Sequence, residues 1–164
     1  MAEALLVLED RVQSEWIDYN RHMRDGYFAV VFSSATDALM DHLGMDEAYR
    51  EATKGTLYTL EMQLRFLREI HEGEAFTVAA QLLDADAKRI HVFLRMQVRE
   101  TGALVGTCEN ILLHVDQAAG PASAPFPDDI AARIQVLLGE HKELAFPEAA
   151  SRPMSLAKKK PASG

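Results

Sequence analysis

The sequence is poor in the features that mark several other classes of protein. It has one cysteine among 164 residues, which excludes an intramolecular disulfide and a zinc site built from several thiolates. Acidic residues outnumber basic ones by 25 to 17, an imbalance that argues against a nucleic-acid binder. No apolar run is long enough to cross a bilayer, and the first residues do not read as a secretory leader. We therefore expect a cytoplasmic protein without nucleic-acid or membrane partners.

What is present is the composition of one globular domain, with 48% hydrophobic and 26% charged residues. The clearest helical pattern spans residues 26–43, where apolar residues recur at helical spacing and Gly44 follows. A first strand is predicted at 5–16 and a short helical turn at 45–53. Four later segments alternate apolar and polar residues as half-buried strands do, and short turns join them into a predicted antiparallel meander: 58–66, 76–82, 90–98 and 104–115.

The predicted elements divide the chain into three parts. Residues 1–116 form an α+β domain, in which one apolar-faced helix lies on an antiparallel sheet. Residues 117–146 hold a linker rich in Ala, Gly and Pro, followed by an amphipathic helix at 128–141. Residues 147–164 are low in large apolar residues and are predicted to be a disordered tail. An exposed edge of the sheet would favour pairing with a second subunit, so we expect a homodimer or homotetramer.

One stretch, residues 16–27, concentrates the polar chemistry: Trp-Ile-Asp-Tyr-Asn-Arg-His-Met-Arg-Asp-Gly-Tyr. It lies between the first predicted strand and the long helix. The first N–H groups of a helix have no partners within it, and the helix dipole makes that end electropositive. A carboxylate here, such as Asp18, can act on a ligand whose oxygen accepts hydrogen bonds from those N–H groups. Capping the helix is the commoner role of an isolated aspartate at this place.

Strand, polar turn, central helix and sheet together resemble the hotdog fold, in which an antiparallel sheet wraps around one long helix. The turn resembles that of acyl-CoA thioesterases similar to 4-hydroxybenzoyl-CoA thioesterase, which carry an Asp-x-Asp-x-x-Gly-His-Val signature before the helix. When the two are aligned on His22, the catalytic aspartate of the family falls on Asp18, and Trp16 takes the place of its first aspartate. Arg21 replaces the family glycine, a residue that adopts positive φ without strain.

A narrower resemblance is to the betainyl-CoA thioesterases of carnitine breakdown, whose turn reads much like Trp-x-Asp-Tyr-Asn-Gly-His-Met-Asn-Asp. The similarity covers about residues 5–116, and four further stretches carry it: 32–39, 57–59 with Glu61, 86–89 and 112–116. The resemblance implies an enzyme that hydrolyses an acyl-CoA thioester to a free acid and coenzyme A. It also implies betainyl-CoA as a candidate substrate and no cofactor besides the coenzyme A of the substrate.

Thioester hydrolysis needs a nucleophile or an activated water, together with donors for the oxyanion that forms on the carbonyl. The resemblance gives the first role to Asp18, as nucleophile or as general base, and the second to the backbone N–H of Asp25. Asn20 and His22 are close enough to contact the ligand or to support Asp18. A structural role, with hydrogen bonds to loop carbonyls, is equally compatible with the position of His22.

Three aromatic residues, Trp16, Tyr19 and Tyr27, surround the candidate catalytic carboxylate in the sequence. A trimethylammonium acyl group could be held by their faces, because cation–π attraction contributes about 0.5–2 kcal/mol per contact. The alternative is that Trp16 and Tyr27 are core aromatics, which is the commoner fate of such residues.

Three charged residues outside the turn are further candidates for substrate binding. Glu61 lies on the polar face of a predicted strand and could approach the turn of a second subunit, or it could be an exposed strand charge. Lys88 and Arg89 lie in a predicted turn between strands, where they could meet the phosphates of coenzyme A or be solvated.

We predict no metal site from the sequence. The histidines outside the turn stand on separate predicted elements without ligand spacing: His42, His71, His91, His114 and His141. Cys108 lies in a strand pattern and is predicted to be a buried apolar residue rather than a nucleophile.

Two other functions are compatible with the sequence. Hotdog hydratases and dehydratases that act on enoyl-CoA use an Asp-x-Asn-Pro-x-His turn at the same structural place. Residues 18–22 resemble that turn but are one residue shorter and lack the proline. The third candidate is a non-catalytic acyl-CoA-binding or assembly domain, because a fold does not by itself establish a function.

Overall fold

Six strands and three helices make up residues 2–156, the part of the chain that this computed structural model describes. The strands are β1 (Leu5–Arg11), β2 (Gly55–Phe66), β3 (Ala75–Ala85), β4 (Arg89–Val98), β5 (Leu104–Asp116) and β6 (Ala122–Ser123). The helices are α1 (Asp25–His42), α2 (Glu47–Thr53) and α3 (Asp128–His141). All six strands join one antiparallel sheet, which confirms the predicted α+β class. Within residues 2–156, no helix has the length and apolar character needed to span a membrane.

The predicted meander is wrong about the position of β2. The sheet has the order β1-β3-β4-β5-β2, so β2 pairs with β5, and β1 takes the place beside β3. Residues 67–74 carry the chain from β2, at one edge of the sheet, to β3, which lies next to the edge strand β1. Ile70 in this connection is fully buried in the core. The alternation within each strand reports which face is buried, but it does not report which strands are neighbours.

Helix α1 packs its apolar face into the core beside the sheet. The predicted bounds, 26–43, differ from the observed ones by one residue at each end, and Gly44 follows the helix with a φ of +88°. The buried residues of its core-facing side recur at helical spacing: Phe28, Val31, Phe32, Ala35 and Leu39. This packing fixes the position of the N-terminal end of α1 relative to the sheet.

Strand β1 is shorter than predicted. It ends at Arg11, and Ser14–Trp16 form a 3-10 turn instead of continuing the strand to residue 16. The N–H of Val12 still donates to the carbonyl of Glu74 at 3.0 Å, after which the chain leaves the sheet. The polar turn that follows is therefore held between the end of β1 and the first residue of α1.

Helix α3 has the bounds predicted from the sequence. Its apolar side joins the same core as α1, through Ile130, Ile134, Leu137 and Leu138. Buried His141 accepts a hydrogen bond on Nδ1 from the N–H of Leu82 at 2.9 Å, which ties the end of α3 to β3. The predicted linker before α3 contains the short strand β6, which pairs with β5.

The chain after α3 was predicted to become a disordered tail from residue 147. Residues 147–156 are described, and the N–H of Ser151 donates to both carboxylate oxygens of Glu109, at 2.8 and 3.0 Å. Residues 157–164, which include the run Lys158–Lys160, lie outside the described residues.

Cys108, on β5, is fully buried, which confirms its prediction as a buried apolar residue. Its thiol donates a hydrogen bond of 3.1 Å to Oδ1 of Asn110. Burial raises the pKa of the Cys108 thiol to about 12, so the thiolate is not formed near neutral pH.

Strand β2 forms one edge of the sheet and is unusually apolar on its exposed surface. Five large apolar side chains of β2 and the residue after it are exposed: Tyr58, Leu60, Met62, Phe66 and Leu67. A long apolar edge strand is a template for pairing with another chain.

Candidate active site

The polar turn between β1 and α1 is a tight hairpin loop. The N–H of Asp18 donates to the carbonyl of His22 at 3.0 Å, and the N–H of Arg21 donates to the carbonyl of Asp18 at 3.0 Å. Ile17 and Met23 face each other across an antiparallel bridge at its base. This pattern is a three-residue hairpin loop, in which a turn is followed by one residue in the left-handed conformation.

Arg21 is the residue in the left-handed conformation, with a φ of +66°. This is the position where the resembled signature has glycine. Positive φ brings Cβ close to the backbone, so a non-glycine residue pays a conformational cost of about 1–2 kcal/mol there. The loop therefore follows the backbone path expected of the glycine-containing turn, although arginine replaces the glycine.

Asp18 has a fixed and half-buried carboxylate. Its Oδ1 accepts a hydrogen bond of 2.8 Å from the backbone N–H of Asn20, which closes a turn within the loop. Asn20 thus supports Asp18 through its backbone, while its side chain is on the exposed side of the loop. Asp18 does not cap α1: the residue before the helix is Arg24, and no side chain accepts from the first turn at that position.

Asp25 is the first residue of α1, and its side-chain Oδ1 accepts the N–H of Gly26 at 2.8 Å. The N–H of Asp25 lies in the first turn of the helix, where backbone donors have no intrahelical acceptors. This geometry makes the N–H of Asp25 a suitable donor to a ligand oxygen.

Asp18 and Asp25 line one open cleft, of about 680 Å³. The cleft is bounded on one side by the polar turn and the start of α1, and on the other by the end of β2 and the connection to β3. Among residues 2–156, three carboxylates and one guanidinium line it, so the charge of this described lining is negative: Asp18, Asp25 and Glu69 against Arg68. The remaining lining residues are His22, Met23, Phe28, Phe66, Leu67 and His71.

His22 contacts neither the Asp18 carboxylate nor a loop carbonyl through its ring. Its Nε2 lies 3.1 Å from Oε2 of Glu69, and its ring meets the ring of His71 edge-on, with centroids 5.1 Å apart. The Nδ1 of His71 in turn lies 3.1 Å from Oε2 of Glu74. The side chain of His22 thus belongs to a cluster with the β2–β3 connection.

Two of the three candidate aromatic residues pack on each other. Trp16 stacks on Tyr27 with ring centroids 5.8 Å apart and an interplanar angle of 20°, and Trp16 also packs on Phe76 of the core. Tyr19, at the tip of the loop, is 90% exposed. None of the three lines the Asp18 cleft of the described chain.

The other three candidates lie away from this cleft. Glu61 lines a second cleft of about 630 Å³ on β2, β4 and β5, where residues 151–154 also lie. Arg89 is paired with Asp86 through Nε and Nη2, at 2.8 and 2.6 Å, and this pairing lowers the pKa of the Asp86 carboxyl to about 2. Lys88 places its Nζ 3.4 Å from Oγ of Ser123.

The sequence pattern did not predict one side of the cleft. The missed residues come from the end of β2 and the β2–β3 connection: Phe66, Leu67, Arg68, Glu69 and His71. The sequence did contain one signal for these residues, the pair Phe66-Leu67 followed directly by charged residues. Two adjacent large apolar residues at a strand end do not fit the alternation of a half-buried strand.

Comparison with known proteins agrees with this geometry. Residues 12–134 match the model of the thioesterase-like superfamily. The chain is 42% identical over 156 residues to a betainyl-CoA thioesterase of Pseudomonas aeruginosa, a match that covers 95% of this chain and 98% of that protein. It is 36% identical over 148 residues to an L-carnitine dehydrogenase/betainyl-CoA thioesterase of Rhizobium meliloti, and that match covers 90% of this chain and 29% of the larger protein.

A solved structure has the same fold. A hypothetical protein of Staphylococcus aureus, determined in complex with CoA, superposes with a TM-score of 0.86 at 28% identity and covers 94% of this chain and 97% of that one. These matches confirm the predicted hotdog thioesterase fold and the family resemblance. The chain therefore belongs to the thioesterase-like superfamily and is an acyl-CoA thioesterase.

Proposed function

We propose that the substrate is betainyl-CoA, which the enzyme hydrolyses to glycine betaine and coenzyme A, with Asp18 as the catalytic carboxylate. The observation that carries the proposal is the negative cleft that joins Asp18 to the first turn of α1. The sequence similarity to the betainyl-CoA thioesterase of Pseudomonas aeruginosa extends over nearly the full length of both chains, and it supports the same substrate.

The proposed reaction uses two groups of the turn. Asp18 either takes a proton from a water that attacks the thioester carbonyl, or attacks the carbonyl itself to form a mixed anhydride that water then hydrolyses. In both routes the carbonyl oxygen becomes an oxyanion, which the N–H of Asp25 stabilises. The carbon–sulfur bond then breaks, and coenzyme A leaves as a thiolate that takes a proton. Asn20 holds the Asp18 carboxylate in position through its backbone N–H.

The charge of the cleft favours a cationic acyl group. The trimethylammonium of a betainyl group carries one positive charge close to the thioester carbonyl. Glu69 and Asp25 can attract it, and the guanidinium of Arg68 leaves the summed charge of the described lining negative. A neutral acyl group of the same shape gains nothing from this field.

The proposed enzyme works as a cytoplasmic homodimer or homotetramer, with the apolar edge of β2 against a second copy of the chain. The exposed apolar side chains on β2 support this arrangement, because burying them against a second copy stabilises the assembly. Two roles stay predictions. One is the binding of coenzyme A phosphates by Lys88 and Arg89, and the other is the approach of Glu61 to a second subunit.

The test of the substrate compares betainyl-CoA with tert-butylacetyl-CoA, its neutral isostere, in a thioester hydrolysis assay. We expect kcat/KM to favour betainyl-CoA by at least about tenfold, equivalent to about 1.4 kcal/mol. Glu69→Gln, which keeps the shape and removes the charge, should raise KM for betainyl-CoA and leave KM for the neutral substrate unchanged. Equal rates on both substrates would overturn the assignment of a cationic substrate.

Trp16→Ala separates the aromatic contribution from the charge of the cleft. Because the Trp16 ring already packs on Tyr27 and Phe76, we expect a loss of stability and similar losses of kcat/KM on both substrates. A cation–π contact would instead raise KM for betainyl-CoA far more than KM for tert-butylacetyl-CoA.

A further inference from the structure

We propose that His22, Glu69 and His71 form a binding site for a zinc-like divalent cation within the Asp18 cleft. Each of the three residues offers one ligand atom, and these atoms all lie within 4.8 Å of one another. Two imidazoles and one carboxylate are a common zinc ligand set, and three protein ligands leave a further position for water or another exchangeable ligand.

One pair of the three ligand atoms already has nearly the spacing of a shared metal. Nε2 of His22 and Oε2 of Glu69 are 3.1 Å apart. In a tetrahedral zinc site, with metal–ligand bonds of about 2.0–2.1 Å, neighbouring nitrogen and oxygen ligands are separated by about 3.3 Å. A cation between the two atoms therefore requires an outward shift of only a few tenths of an ångström.

A second carboxylate orients the third ligand. Nδ1 of His71 lies 3.1 Å from Oε2 of Glu74, and the backbone N–H of His71 donates to the same oxygen at 2.7 Å. With Nδ1 engaged, Nε2 is the ring nitrogen of His71 left for a metal. A histidine that donates its other N–H to a carboxylate is the usual arrangement around protein-bound zinc, because it fixes both tautomer and ring orientation.

The backbone brings the ligands together before any metal is present. Glu69 and His71 flank Ile70, which is fully buried, so their side chains lie on the opposite, exposed side of this segment. The carbonyl of Ile70 accepts the N–H of Met23 at 2.9 Å, which holds the residue after His22 beside this segment. The site is therefore built by a buried anchor and a backbone hydrogen bond.

The chemistry of the ligands sets the selectivity of the site. Imidazole nitrogen favours Zn²⁺, Co²⁺ and Ni²⁺, whereas Mg²⁺ and Ca²⁺ prefer sites made of oxygen atoms alone. The carboxylates of Asp18 and Asp25, in the same cleft, add to the negative field around the site. Resting on the proposed function, the cation and the cationic acyl group share one cleft, so a bound metal should inhibit competitively.

Binding is tested by isothermal titration of tag-free full-length protein with ZnCl₂, and by the visible absorption of bound Co²⁺. We expect one saturable zinc site per chain, with no heat from MgCl₂ or CaCl₂. His71→Ala and Glu69→Gln should each weaken zinc binding by at least about tenfold, and Glu74→Gln should do so by about tenfold without a change in Tm. The matched control is His42→Ala, an exposed histidine at the far end of α1, which should bind as the wild type does.

The proposed site is wrong if the protein shows no saturable zinc binding. It is also wrong if His71→Ala and Glu69→Gln both bind zinc with the affinity of the wild type. Inhibition is measured separately, by loss of thioester absorbance, because a released thiol would itself bind zinc. Zinc should raise KM for betainyl-CoA in the wild type and not in His71→Ala. A protein that binds zinc but does not hydrolyse betainyl-CoA refutes the proposed substrate alone, and a protein that hydrolyses it without binding zinc refutes the site alone.

Discussion

The backbone N–H of Asn20 donates a hydrogen bond of 2.8 Å to Oδ1 of Asp18, two residues before it in the same loop. The carboxylate is thereby oriented by a rigid group rather than by a flexible side chain. A nucleophile or a general base must be held in a fixed position relative to the carbonyl or the water on which it acts. Preorganisation of this kind costs nothing at the moment of reaction.

Asp18→Asn should abolish hydrolysis while leaving the loop intact. The amide oxygen can still accept the N–H of Asn20, but it cannot act as a nucleophile or take a proton. We expect kcat to fall by about 10²–10⁴-fold with an unchanged Tm, measured by thiol release and thermal unfolding. Asp37→Asn, an exposed aspartate on α1, is the matched control and should retain the wild-type rate. Full activity in Asp18→Asn would show that another group does the chemistry.

Arg21→Gly should stabilise the protein. Glycine removes the strain of a φ of +66°, and its extra freedom in the unfolded state offsets part of that gain. We expect a net gain of about 0.5–1 kcal/mol, or about 1–4 °C in Tm, by thermal or urea unfolding. Arg21→Ala keeps the strain and should give no gain. An equal gain in both variants would attribute the effect to loss of the arginine side chain instead.

Leu60→Lys should dissociate the proposed assembly. Leu60 lies on β2 at the sheet edge and is 53% exposed in a single chain. A lysine there would bring like charges together across a pair of β2 strands and disfavour their burial. Light scattering after size exclusion should show the mass of one chain. Val136→Lys, on an equally apolar and 64% exposed position of α3, should leave the mass of the assembly unchanged.

His141 should make the protein less stable at acidic pH. Burial lowers the pKa of His141 in the folded protein. The charge of Glu140 opposes this shift, and the charges of Arg95 and His42 add to it. Between this lowered pKa and the unfolded value of about 6.5, the unfolded chain binds a proton that the folded chain does not. Stability present above about pH 6.5 is therefore lost as the pH falls.

The test follows Tm from pH 8 to pH 5 in the wild type and in His141→Asn. The asparagine oxygen can accept the N–H of Leu82 in place of Nδ1, but it does not titrate. We expect a smaller drop in Tm for His141→Asn than for the wild type. His42→Asn removes one of the charges that lower the pKa of His141 but keeps His141 titratable, so its drop in Tm should lie between those of the wild type and His141→Asn. The same drop in all three proteins would assign the acid sensitivity to other groups.

Local patterns were sufficient to predict the main helices and strands and the polar turn between β1 and α1. Helical spacing located α1 to within one residue at each end, and it located both ends of α3. The family resemblance, aligned on His22, identified Arg21 as the position where glycine is usual, and the structure gives Arg21 a positive φ. These features depend on neighbours within a few positions of the chain.

Features that depend on distant parts of the chain could not be predicted. Strand β2 pairs with β5 rather than with β3, and the connection between β2 and β3 buries Ile70 in the core. No periodicity within β2 reports this pairing. For the same reason, His22 and His71 looked unrelated in the sequence. They become neighbours because Met23 donates a backbone hydrogen bond to Ile70, and the cleft combines residues from both segments.

The burial of Cys108 has a consequence for an enzyme whose product is a thiol. Every turnover releases coenzyme A, and under oxidising conditions coenzyme A forms mixed disulfides with accessible protein thiolates. The only thiol of this chain is sealed in the core with its pKa raised to about 12, so it offers no partner for that exchange. The enzyme is thereby protected from covalent capture by its own product, and thiol reagents used to follow the reaction should report coenzyme A alone.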